Sequence, residues 1–245
     1  MPDLSKSDHL PNLRKGRQPP QPSWLPRQRR GTTPQMIGRY PDYDVFDSQS
    51  SWDAATAAVI TSRMQVNRRC LSFFTEAEAP TLRAFCDVCV FQDGEPRVPV
   101  AEMVDDKLAA GRLDGYQYAD MPDDRDTWHL TLAGLDEVTA ERHDGRRFSE
   151  LDWDAAEAIV ADLSDGKLRS ESLAKLNVAR AWSVCMRMVL AAFYSHPWAW
   201  NEIGFGGPAY PRGYMRLGPT STRDPFERPG ATDEDPVRQS TDGKP

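Results

Sequence analysis

Apolar positions recur at helical spacing in five segments, each bounded by residues suited to start or stop a helix. Thr75-Glu76-Ala77-Glu78 has the spacing of a capping box, in which the hydroxyl and the carboxylate satisfy the free amides of a new helix. It predicts a helix from Glu76 to about Val90, with Leu82, Phe85, Cys86, Cys89 and Val90 on one face and Asp93-Gly94 ending it. Pro99 suits the first turn of a second helix carrying Val100, Met103, Val104 and Leu108, and Gly111 is its stop. Trp128, Leu132, Leu135 and Val138 mark a third, over Arg125 to Glu141, and Trp153, Ala156, Ile159, Val160 and Leu163 a fourth, over Asp152 to Leu163. The longest pattern runs from Ser172 to Tyr194 through Leu173, Leu176, Trp182, Cys185, Met186, Val189, Leu190 and Phe193. That helix is expected at the centre of the domain, closed by His196-Pro197 because a residue before proline disfavours helical backbone. No stretch alternates with period two for long enough to propose a sheet. The expected class is all-α, an irregular bundle of about five to six helices.

Prolines and charge set the expected limits of that bundle. Residues 1–50 hold Pro-Pro at 19–20, further prolines at 11, 22, 26, 34 and 41, and few apolar side chains to offset the cost of ordering backbone. The stretch 219–245 repeats the pattern with Pro225, Pro229, Pro236 and the acidic run Asp233-Glu234-Asp235. Both ends are expected to be disordered tails around a folded domain at 51–218. Residues 1–40 carry a net +6 within a chain of net −7, so the remainder carries −13. A basic, proline-rich start reads first as a solvated tail, and contact with an acidic partner or an anionic membrane surface is its other use. The acidic balance of the rest excludes a nucleic-acid footprint, which needs Lys and Arg gathered on one face. No apolar run approaches the roughly 18 residues of a transmembrane span. Arg29-Arg30 is followed by Gly31-Thr32-Thr33-Pro34-Gln35 where an apolar signal core belongs, so no signal peptide is expected.

Few side chains point to chemistry. Four cysteines in 245 residues do not make a disulfide scaffold. Cys86 and Cys89 have the spacing of a metal or redox pair, but no second Cys-x-x-Cys or close His pair completes it, and Val90 stands where haem attachment needs His. Their place on an apolar helical face reads as packing. His9 falls in the basic tail, His143 in a polar turn, and His129 on a helix surface. Gly-x-Ser-x-Gly is absent. Asp105-Asp106 and Asp123-Asp124 are adjacent, so they diverge by about 100° on a helix and read as solvated faces. Gly204-Phe205-Gly206-Gly207 lacks the strand and helix of a dinucleotide fingerprint and is followed by Pro208 and Pro211.

The segment from Phe193 to Tyr214 (FYSHPWAWNEIGFGGPAYPRGY) resembles the C-terminal signature of the gluconate 2-dehydrogenase subunit 3 family. Phe73-Phe74-Thr75-Glu76-Ala77-Glu78, Pro96-Arg97-Val98-Pro99 and the Met103–Leu108 stretch are similar to the family's N-terminal half. The resemblance covers about residues 70–218. It implies a helical, non-catalytic small subunit beside a FAD-bearing flavoprotein of the glucose-methanol-choline (GMC) type, often with a c-type cytochrome. FAD and haem c then belong to the partners, and this chain holds no cofactor or metal. Many relatives carry a twin-arginine signal; without one here, the expected place is the cytoplasm, or the periplasm by export on a partner's signal. The signature residues are His196, Pro197, Trp198, Trp200, Asn201, Glu202, Gly204, Phe205, Gly206, Gly207, Pro208, Tyr210, Pro211, Gly213 and Tyr214. Their aromatics, set between glycines and prolines that fix an irregular backbone, suit a rigid docking surface. Equally, the loop packs back on its own domain, with His196, Asn201 and Glu202 tying down amides. The alternative from another class is a thiol or metal redox protein using Cys86 and Cys89 with His196.

Overall fold

The computed structural model of the chain describes residues 43–66, 71–95, 97–113, 115–210 and 213. Among them are seven α-helices and no strand. The helices are α1 (Ala54–Met64), α2 (Ala79–Cys89), α3 (Val100–Ala109), α4 (Asp124–Arg142), α5 (Trp153–Ser164), α6 (Val178–Phe193) and α7 (Pro197–Ile203). Short 3-10 turns stand at Val45–Ser51, Phe148–Glu150 and Leu173–Lys175.

Helices α2 and α6 make the centre, each packing against α3, α4, α5 and the other. On α6 Ala181, Val184, Cys185, Met188, Val189 and Ala192 are buried, a stripe at three- and four-residue spacing that fits its central place. Leu82, Phe85 and Cys86 of α2 meet Trp128, Leu132, Leu135 and Val138 of α4 and Ile159 and Leu163 of α5 in one core. Each large side chain so buried contributes about 1.5–3 kcal/mol. Trp128 is fully enclosed, with Phe74 and Phe85 edge-on to its ring at 5.9 and 6.0 Å.

Several expectations are corrected locally. The capping box at Thr75 and Glu78 forms, with Thr75 N–H donating to Glu78 Oε2 at 2.9 Å and Glu78 N–H to Thr75 Oγ1 at 3.3 Å. It closes a turn, and regular helix begins at Ala79. The pattern from Ser172 is two elements, because Leu176 is extended and Asn177 caps α6 by accepting from Arg180 N–H. Asp106 is exposed as expected, whereas Asp105 is buried and accepts backbone N–H groups from Ser72, Phe73 and Phe74 at 2.6, 3.0 and 2.9 Å. The segment 43–50, expected in the tail, belongs to the folded body, and Val45 is fully buried. The remainder of the expected tails, His9 and Cys70 lie outside the described residues.

Candidate interaction site

Helix α7 is short because its two ends are fixed by sequence. Pro197 occupies the first position, where a missing N–H costs nothing, and His196 Nδ1 accepts Trp198 N–H at 3.2 Å. Gly204 ends the helix in the left-handed region at φ 69°, which a side chain would disfavour. The expected irregular backbone therefore starts only after Ile203.

This helix turns its buried side toward the N-terminal segment. Trp200, Val45, Trp52 and Ile60 form a cluster of their own beside the main core, with Phe205 edge-on to Trp200 at 5.7 Å. Asn201 is buried, its Oδ1 accepts Val45 N–H at 2.7 Å and its Nδ2 donates to Asp44 at 3.2 Å. Tyr43 donates to the Phe205 carbonyl at 2.9 Å, and Trp200 Nε1–H to the Tyr194 carbonyl at 2.6 Å. From α1, Arg63 donates to the Ser195 carbonyl at 2.7 Å and lies over the Trp200 ring at 5.6 Å. Burial holds the Arg63 guanidinium below its usual range.

Gly207 shows what the glycines are for. Its φ is +77°, and an added Cβ would sit 3.0 Å from Val45 Cγ2 and 3.2 Å from Trp52 Cζ2. The Gly-rich stretch thus admits the chain's own N-terminal segment at close range.

Of the signature residues, His196, Pro197, Trp200, Asn201, Glu202, Gly204, Gly206 and Gly207 are buried. Trp198, Phe205 and Pro208 are half-buried, while Gly213 and Tyr210 are exposed, the tyrosine to 65%. Pro211 and Tyr214 lie outside the described residues. Packing back on its own chain, the second use open to the signature, is what most of these side chains do here. Sequence reasoning missed the other half of this contact, the segment from Tyr43 to Arg63. Its one local signal is Asp53 before an alanine-rich run, and the Asp53 carboxylate does cap α1 by accepting Thr56 N–H at 2.8 Å. Asn201→Ala is expected to leave the Val45 amide without its acceptor, at a cost of about 1–3 kcal/mol. Limited proteolysis should then cut preferentially within 43–66, and unchanged cleavage would show that Asn201 does not hold the segment.

The three described thiols are poorly placed for redox or metal chemistry. Burial pushes Cys86 and Cys89 well up, and Cys185 up to about 12, so all three stay protonated near neutral pH. His196 Nδ1 is engaged with the Trp198 amide. Among the described residues no group of three His, Cys, Asp or Glu side chains is arranged to hold a metal ion. His129, half-buried, pairs with Glu78 at 2.5 Å and stacks on Phe73 at 4.7 Å.

A small polar hollow of about 230 Å³ holds a further, half-buried carboxylate. Asp87 pairs with Arg97 and accepts from Gln92, whose amide also bonds both the N–H and the carbonyl of Val98. The group secures the loop after α2. Burial raises Asp87 to about 6 from an ordinary 3.8 despite Arg97. The folded state therefore holds this proton more readily than the unfolded chain, so the contribution of Asp87 falls as pH rises from about 4 through about 6. Relative to Asp87→Asn, the wild type should lose on the order of 2–3 kcal/mol across that window. Urea unfolding of both proteins at pH 4.5 and pH 7 checks this, and a constant difference would refute it.

Fold and site together define a small all-α domain whose signature residues organise its own chain. The chain belongs to the gluconate 2-dehydrogenase subunit 3 family, whose profile matches residues 76–207. That family is a subunit of a multi-subunit dehydrogenase complex. No curated protein and no solved structure matches the chain. No helix among the described residues is long and apolar enough to cross a membrane.

Proposed function

We propose that the chain is the non-catalytic accessory subunit of a FAD-dependent, GMC-type alcohol or sugar dehydrogenase, docking the flavoprotein and stabilising or maturing it. The family match over residues 76–207 carries this reading. The interior supports it: polar groups in the signature bond to neighbouring backbone, and the three described cysteines are held as thiols. FAD, and haem c where a cytochrome joins, belong to the partner subunits. The complex works in the cytoplasm, or in the periplasm if the partner's signal exports both.

Purification of the full, tagged chain from its native host tests this. A flavoprotein should co-elute with a flavin spectrum and alcohol- or sugar-oxidising activity, and its level should fall when the chain is deleted. A chain that elutes alone with its own chromophore or stoichiometric metal would overturn the reading in favour of thiol or metal redox chemistry.

A further inference from the structure

Most of the described signature residues pack on their own chain, and a second surface open to the partner lies beside them. Between the C-terminal half of α1, the middle of α3 and the C-terminal half of α6 there is a groove of about 610 Å³. Val104, Met188 and Ala192 line it and are themselves buried. Val59 of α1, 53% exposed, stands on its edge. An apolar floor rimmed by polar residues suits the apolar face of a docked segment.

Charge says what kind of surface it is. Arg63, Lys107 and Arg112 line the groove, and among the described residues of its lining Asp106 is the one acidic side chain. This local positive excess sits on a chain of net −7. An acidic partner is drawn to such a place, and one of like charge is repelled. Residues 59–66 of the wall lie outside the family match at 76–207, and Arg63 among them bonds the Ser195 carbonyl and lies over the Trp200 ring of the signature.

We propose that the groove receives an amphipathic acidic segment of the partner flavoprotein. A large apolar side chain of that segment lies over Val104, Met188 and Ala192, with its carboxylates against Arg63, Lys107 and Arg112. The proposal rests on the accessory-subunit reading. The signature then acts indirectly, by holding α1 and Arg63 where they complete the groove.

The test uses the full, tagged chain expressed in its native host as wild type, as Lys107→Glu with Arg112→Glu, and as Lys175→Glu, a control outside the groove. A photo-crosslinking residue replaces Val59 in a fourth preparation. The paired charge reversal should lower the amount of recovered flavoprotein roughly tenfold or more with an unchanged melting temperature, and the control should not. Cross-links from position 59 should fall on an acidic stretch of the flavoprotein. If the paired variant proves unstable, Val59→Asp, at an exposed position, provides the same reading. Flavoprotein held equally by wild type and the groove variants, or cross-links absent from it, would overturn the groove while leaving the accessory role standing. No flavoprotein recovered with the wild type would overturn the accessory role, and the groove proposal with it.

Discussion

Asp105→Ala should lower the stability of the domain by about 3–5 kcal/mol, the range expected when a buried charged acceptor of several hydrogen bonds is removed. Asp105 is 1% exposed, and its two carboxylate oxygens accept the N–H groups of Ser72, Phe73 and Phe74. Three converging backbone donors leave no way to satisfy those amides if the carboxylate is removed, because the bond partners come from one short stretch of chain. That stretch carries Phe73 and Phe74 onto His129 and Trp128, so its release also loosens the aromatic side of the core. Asp105→Asn keeps the volume but sets an amide N–H₂ against backbone donors, and should cost about 2 kcal/mol. Asp106→Ala, at the exposed neighbouring position, should change stability by less than about 0.5 kcal/mol. Urea unfolding of the three variants checks the order. Equal, small losses at both positions would show that the carboxylate does not hold the 72–74 turn.

Asp105 also shows where reading a sequence stops. Adjacent aspartates look like one solvated pair, yet a step of 100° along α3 puts Asp105 in line with Ala101 and Leu108, both buried. The spacing was visible in the sequence, but the three donors that make burial acceptable were not, since they come from about 30 residues earlier. The apolar faces of α2, α4, α5 and α6 were legible for the opposite reason. Their burial is decided by local periodicity, and any neighbour of the right shape will serve. Helix α1 buries only Ile60, so it leaves almost no periodic signal. The signature was recognisable as a motif, while its occupant was not: Val45 meets Asn201 across 156 positions of sequence. A pattern of glycines and aromatics cannot say whether a partner or the chain itself fills the space they leave.

Gly134 in α4 gives the second large effect, and its sign separates local preference from packing. Helix propensity alone would have Gly134→Ala stabilise by about 1 kcal/mol. In the structure a Cβ there would lie 2.4 Å from Leu173 Cγ and 2.8 Å from its Cδ2. Leu173 has little room to retreat. It is 1% exposed, and the residue before it is held by Glu137, which accepts Ser172 N–H at 2.9 Å and its hydroxyl at 2.5 Å. Overpacking should therefore win, leaving Gly134→Ala destabilised by about 1–3 kcal/mol. Leu173→Ala alone opens a cavity at a cost of about 2–5 kcal/mol. Combined, the new methyl occupies part of the space the leucine vacates, so the double variant should lose at least about 1 kcal/mol less than the two single losses added together. Denaturant unfolding of all four proteins measures that coupling. Additive losses, or a Gly134→Ala protein more stable than the wild type, would mean that α4 and the Leu173–Lys175 turn do not approach so closely in solution.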